Sequence, residues 1–213
     1  MSFDALAPHY RWMEFILAGE KLQRCRTAFL DQVSQARNIL IVGEGHGRCL
    51  VECCRIFQDA QIACVDASES MLFQARRRCA GRGLNANRVE FIQADALKWT
   101  PVSSGWDLII TNFFLDCFEA EQLERLISRL AAAAAPAANW LIADFQMAPA
   151  GWKRARSRLI LWAMYVFFRV MTRLPAERLV VPDGFLERSG FALRQRAETE
   201  WGLLHSDWWE RAG

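Results

Sequence analysis

Short apolar runs recur along the chain at Asn38–Val42, Gln61–Val65, Val89–Gln93, Asp107–Thr111 and Trp140–Asp144. Each is rich in β-branched or apolar residues and ends in a turn or polar residue, so each predicts a buried strand. Helical periodicity lies between most of them, at Cys49–Phe57, Ser70–Cys79 and Ala120–Ala134, with Pro136 stopping the last. A further helix is expected over Ala18–Val33, ahead of the first strand. Strand–helix alternation of this kind predicts an α/β fold, a doubly wound and mostly parallel sheet with right-handed crossovers. Beyond Pro149-Ala150-Gly151 the pattern changes to a long helical stretch, Trp152–Arg173, and a short one, Phe185–Ser189. Two last strands, near Phe191–Ala197 and Leu203–Trp209, are expected to close the sheet as an antiparallel hairpin, seven strands in all.

The length of 213 residues suits one α/β domain and is short for two. The expected organisation is therefore a single domain over 1–213, with 1–37 as an N-terminal helical cap and 149–182 as a helical insertion after the fifth strand. With 26 basic and 24 acidic side chains the formal charge is only +2, which argues against nucleic acid as a partner. Seven cysteines, none in a CxxC pair, and an N-terminus without a secretory pattern point to reduced thiols and a cytoplasmic setting. The cysteines read as small core hydrophobes, and no metal site is expected. The longest apolar run, Leu159–Phe168, is far short of the roughly 20 residues a membrane span needs.

The first strand leads into Gly43-Glu44-Gly45-His46-Gly47. Glycines allow a tight turn and let a ligand approach the backbone, and the helix that follows offers free N–H groups. Asp66 ends the second strand about 20 residues on, where an acid can accept from a ribose diol. A dinucleotide fingerprint would want a small residue at position 48. Arg48 stands there, which disfavours a nicotinamide or flavin nucleotide.

"NILIVGEGHG" (Asn38–Gly47), "VDASESML" (Val65–Leu72), "FIQADAL" (Phe91–Leu97) and "WDLIITNFFLDCF" (Trp106–Phe118) together resemble the ordered motifs of class I S-adenosylmethionine (SAM) methyltransferases. "FDALAPHY" (Phe3–Tyr10) is similar to the N-terminal segment of quinone-biosynthesis types (ubiquinone and menaquinone). The resemblance implies a Rossmann-like fold and SAM as cofactor, with S-adenosylhomocysteine (SAH) as product. It places Gly43, Gly45 and Gly47 along the methionine half and Asp66 on the ribose. Ala67 and Met71 would lie near the adenine, Asp95 and Ala96 at its edge, and Asn112 and Phe113 beside the sulfonium. Tyr10 would reach in from the N-terminal segment. The family's acid two residues before the first glycine is replaced by Ile41, so Glu44 is left as the candidate contact to the SAM amino group or as an exposed residue.

The protein must align nucleophile, methyl and sulfur, and a base is needed only for an acceptor that arrives protonated. Asp116, His9 and Tyr10 are the candidates beside the methyl site, with His46 and His205 read as structural. Along Trp152–Arg173, residues Arg154, Arg158, Trp162, Tyr165, Arg169 and Arg173 share one stripe. That helix reads as a core helix with a basic face, a lid over a lipophilic acceptor, or a peripheral contact with an anionic membrane through 152–173. Trp201, Trp208 and Trp209 would add an aromatic wall. The expected acceptor is a hydrophobic small molecule: a quinone precursor, another aromatic compound or a lipid. A non-catalytic SAM-binding or partner-binding domain and a nucleotide-dependent oxidoreductase are the alternatives.

Overall fold

The computed structural model describes residues 19–102, 104–148, 150–172 and 179–212, and only the helical backbone over 162–172. The strands are β1 (Asn38–Val42), β2 (Gln61–Asp66), β3 (Val89–Gln93), β4 (Trp106–Asn112), β5 (Ala134–Phe145), β6 (Phe191–Thr199) and β7 (Leu204–Arg211). The helices are α1 (Gly19–Thr27), α2 (Arg48–Ile56), α3 (Glu69–Ala80), α4 (Ala120–Ala133), α5 (Gly151–Thr172) and α6 (Asp183–Arg188). The sheet runs β3-β2-β1-β4-β5-β7-β6. Its first five strands are parallel, and β7 inserts antiparallel between β5 and β6. This is the expected Rossmann-like, mostly parallel architecture.

The strands read as unbroken apolar runs because both faces of the sheet are covered. On one face Ile39, Ile41, Cys64, Leu108 and Ile110 pack against Leu50, Cys53, Ala75 and Cys79 of α2 and α3. On the other, Leu40, Val42, Ile109, Trp140 and Ile142 meet Leu123, Leu126, Ile127 and Leu130 of α4 and Leu186 of α6. A third apolar group, with Leu22, Phe113, Phe145, Leu161 and Leu204, sits over the carboxyl edge of β4 and β5.

Three expectations are corrected. The helix over Ala18–Val33 is broken: α1 ends at Thr27 and a 3-10 turn, Leu30–Val33, follows. Phe29, between them, is buried and non-helical at φ −121° and ψ 10°, so the break lets Phe29, Leu30 and Val33 all face the core. The fifth strand starts six residues early, at Ala134 instead of Trp140, because Ala134 at φ −73° and ψ 147° is already extended before Pro136. The three tryptophans form no wall. Trp209 is fully buried against α4 and α6, whereas Trp208 faces the opposite side and donates to Asn139. Trp201 lies exposed in the β6–β7 turn.

Candidate functional site

In a sheet of this order the chain changes direction between β1 and β4, and open α/β sheets bind their ligands beyond the carboxyl ends of the strands at such a point. The glycine turn after β1 forms one wall. Gly43 N donates to the Val65 carbonyl at 2.9 Å, and Gly45 N donates to Asp66 Oδ2 at 2.8 Å. The tips of β1 and β2 are thus fastened to each other, and Asp66 is oriented a second time by Ser68 N at 2.9 Å. All three glycines of the turn have positive φ. At Gly47 a Cβ would lie 2.6 Å from Ala75 Cα, so the close approach of α2 to α3 depends on this position. At Gly45 a Cβ would meet nothing within 4 Å and would project into open space.

Arg48 does not wedge the helix off its neighbour. It opens α2 with Nε on His46 Nε2 at 3.2 Å and Nη1 on the Gly19 carbonyl at 3.4 Å. Gln23 of α1 returns a bond to the Arg48 carbonyl, and Lys21 pairs with Glu200 at 2.7 Å. These contacts draw α1 between the start of α2 and the β6–β7 turn. His46, buried, serves this junction, with its carbonyl accepting from Arg78.

Glu44 is part-buried and turned onto the start of α2. Its Oε1 accepts from Cys49 N at 2.8 Å and Leu50 N at 3.1 Å, so the side chain caps the start of α2. Burial raises its pKa to about 7, against the lowering effect of those two bonds and of Arg26. The helix start expected to welcome an anion is thus filled by the chain's own carboxyl group.

The second wall comes from β4. Asn112 is buried at its tip, and neither its amide oxygen nor its amide nitrogen has a hydrogen-bond partner. A buried amide without partners is costly, so this one stands ready for a ligand's donor and acceptor. Phe113 follows at φ 52°, its N donating to the Ala143 carbonyl at 2.6 Å. Its ring packs on Phe145 with centroids 5.2 Å apart, and the Arg26 guanidinium lies 4.9 Å over it. Phe114 closes against the glycine turn, its ring 2.1 Å from where a Gly43 Cβ would stand.

Met71 is buried in the first turn of α3, donating its N–H to Ser68 Oγ, and Ala67 is half-buried beside it. Asp95 is exposed after β3, with Oδ1 accepting from Leu97 N at 3.0 Å, and Ala96 next to it is buried. Asp116 is buried in the 3-10 turn Leu115–Cys117. His9 and Tyr10 lie outside the described residues.

Residues 39–137 match the family model of the methyltransferase domain. This stretch, from β1 into β5, is the part of the chain that resembles a methyltransferase domain. No curated protein matches its sequence. Among solved structures, the SAM-dependent methyltransferase SibL aligns with TM-score 0.64 at 21% identity, over 85% of this chain and 52% of SibL. An O-methyltransferase family protein from Burkholderia thailandensis gives 0.66 at 19%, over 91% and 58%. Magnesium protoporphyrin IX methyltransferase from Synechocystis PCC 6803, solved with bound SAH, gives 0.65 at 18%, over 92% and 84%. The chain thus spans little more than half the length of the first two. At these identities the likeness is one of fold.

The residues at the strand tips fit the family's cofactor. Gly45 leaves room, Asn112 has two unmet polar atoms, and Asp66 presents a carboxylate already aimed by two N–H groups. The sequence missed Asp144, Asp207 and Arg26, which belong to this edge. Asp144 ends a buried strand and Asp207 alternates with tryptophans, so both are acids at positions where apolar residues are expected. That signal could have found them.

Proposed function

We propose that this protein transfers a methyl group from SAM to a hydrophobic small molecule. One observation carries the reading: Glu44 fills the start of α2 with its own carboxyl group, 2.8 and 3.1 Å from Cys49 N and Leu50 N. A dinucleotide needs that helix start for its pyrophosphate. Here the phosphates would meet Glu44, with Asp66 close by across the Gly45 bond. SAM carries no phosphate and a net positive charge, which acids favour and a basic cradle would not. The oxidoreductase alternative is therefore disfavoured by electrostatics.

In this reading Gly43, Gly45 and Gly47 let the backbone lie along the methionine half, and Asp66 accepts from the ribose hydroxyls. Ala67 and Met71 pack on the adenine, while Asp95 and Ala96 recognise its edge. Asn112 and Phe113 line the reacting end, and Asp116 stands near as the base, with His9 and Tyr10 as further candidates from the N-terminal segment. SAM supplies an activated methyl group, and the protein orients it and excludes water. The apolar packing of Phe113 and Phe145 with Leu161 of α5 supports an aromatic or lipid-like acceptor and a lid role for residues 149–182. Seven free thiols, six of them buried, suit a reducing compartment such as the cytoplasm.

Calorimetry of the full chain with SAM, SAH and NADH tests the donor. Tight SAM and SAH binding with none for NADH supports the reading, and the reverse overturns it. Conversion of SAM to SAH across a panel of phenols, quinols and lipid acids then tests the acceptor.

A specific feature favours contact with an anionic lipid surface as well. Trp152 and Trp201 are exposed with rings 6.0 Å apart, and the Arg156 guanidinium stacks 4.7 Å over Trp201. Lys153, Arg154, Arg158 and Leu159 are exposed on the same first turns of α5. Aromatic and basic groups mixed in this way suit a headgroup layer. No helix among the described residues is long and apolar enough to cross a membrane.

A further inference from the structure

The loop after β3 is pinned to α4 by one side chain. Arg129, half-buried on α4, donates from Nη1 to the carbonyls of Ala96 at 3.1 Å, Leu97 at 3.0 Å and Trp99 at 2.8 Å. Three carbonyl dipoles thus converge on one charged donor group, which holds together oxygens that would otherwise repel. The amides of the same loop turn the other way, onto Asp95. Its carbonyl accepts from Lys98 N at 2.9 Å and Trp99 N at 2.8 Å, and its Oδ1 accepts from Leu97 N at 3.0 Å. Asp95 Oδ2 lies 4.0 Å from the exposed Lys98 Nζ. Just before, Ala94 N donates to the Asp66 carbonyl at 3.0 Å, which fastens the loop to the tip of β2.

One peptide group is therefore held from both sides. The Ala96 carbonyl and the Leu97 N–H belong to the same planar trans unit and point in opposite directions. The carbonyl goes to Arg129 and the N–H to Asp95 Oδ1. Rotation of that plane would break both bonds together. Through it Arg129 sets the direction of the Asp95 carboxylate and the placement of Ala96 beside it.

We propose that Arg129 is a positioning residue for the purine of the donor, holding Asp95 and Ala96 in the arrangement that accepts a 6-aminopurine and rejects a 6-oxopurine. The inference rests on the SAM reading above, which puts Asp95 and Ala96 at the edge of the adenine. A 6-aminopurine offers an N–H to a carboxylate and a ring-nitrogen lone pair to a backbone N–H. A 6-oxopurine offers the reverse, an oxygen facing the Asp95 carboxylate and a ring N–H facing that of Ala96. Both contacts then oppose binding, and they do so only while the carboxylate and the N–H are held in place. A loop able to turn would present other groups and lose the distinction.

Calorimetry of the full chain compares SAH with S-inosylhomocysteine, in which oxygen replaces the purine amino group. The parent chain is expected to prefer SAH by about tenfold or more. Arg129→Met and Arg129→Gln remove the charged donor and should each reduce the preference to about threefold or less, chiefly by weakening SAH. Arg129→Lys keeps a charge one bond short of the carbonyls and should retain more of the preference than either. A merely structural role would weaken both ligands alike and leave their ratio as it was. Circular dichroism shows which variants are folded. An unchanged ratio in a folded Arg129→Met or Arg129→Gln protein overturns the proposal, and so does a parent chain that binds SAH and S-inosylhomocysteine equally. In those cases SAH still binds and the donor reading stands. A parent chain that binds neither ligand removes the donor reading, and this inference with it.

Discussion

At the scale of single residues, the glycine turn separates two duties that look identical in sequence. Gly47→Ala forces a Cβ against the Ala75 backbone at a φ of +88°, and backbone there has little freedom to yield. We expect a loss of about 2–3 kcal/mol in urea unfolding. Gly45→Ala meets no atom, so its stability cost is confined to the left-handed backbone, about 1 kcal/mol. Its added methyl enters the donor cradle, and SAM affinity should fall by about tenfold or more, roughly 1.4 kcal/mol per decade. A Gly45→Ala protein that binds SAM normally would remove the turn from the donor site. Glu44 adds a dependence on pH. Its folded pKa, about 7, lies above the unfolded value of 4.5, so the native state holds more protons between those limits. The stability contributed by Glu44 is then fully present below pH 4.5 and is lost as pH rises through 7. Asp116 acts in the same direction from 3.8 to about 6. Glu44→Gln keeps an acceptor for Cys49 N and Leu50 N, and chemical denaturation at successive pH values should show a flatter slope.

At the scale of elements, local caps decide where helices begin. Ser68 Oγ accepts from Met71 N at 3.2 Å, and Ser68 is almost fully buried. Ser68→Ala should therefore cost about 1 kcal/mol, read as a lower melting temperature, and should loosen the start of α3 beside Asp66. At α5 the relevant element property is its exposed first turns. Flotation with phosphatidylcholine vesicles containing a quarter phosphatidylglycerol should carry the protein upward at low salt and release it at high salt. Trp152→Ala combined with Trp201→Ala should weaken that association. No flotation at low salt would remove lipid from the reading of α5.

At the scale of the whole molecule, the proposed donor site draws on elements far apart in the chain, so ligand binding should stabilise the fold globally. At a SAM concentration about 100 times Kd, linkage adds about 2.7 kcal/mol. For a domain of this size that is a rise of roughly 5–10 °C in melting temperature. Asp66→Ala should cancel most of the rise while leaving the unliganded transition cooperative. The far edge of the sheet depends on one buried charge pair. Arg196→Ala strands Asp207, which is fully buried, and should destabilise by about 3 kcal/mol in urea unfolding.

The sheet was legible because a parallel strand covered on both faces must be an unbroken apolar run, and β1, β2 and β4 are such runs. The glycine turn and Asp66 were legible because each sits at a strand end, where spacing alone fixes its neighbours. By itself, then, the sequence determined the strands, their mostly parallel run, the glycine turn and the acid at the end of the second strand. Only tertiary structure decided which distant polar groups meet. Glu44 folds back onto α2 because a free helix start lies within reach of its side chain, a choice that composition does not record. Asp144 faces His205, and Arg196 faces Asp207, because β7 enters between β5 and β6 in one register, and a slip of one residue would turn these groups to the other face.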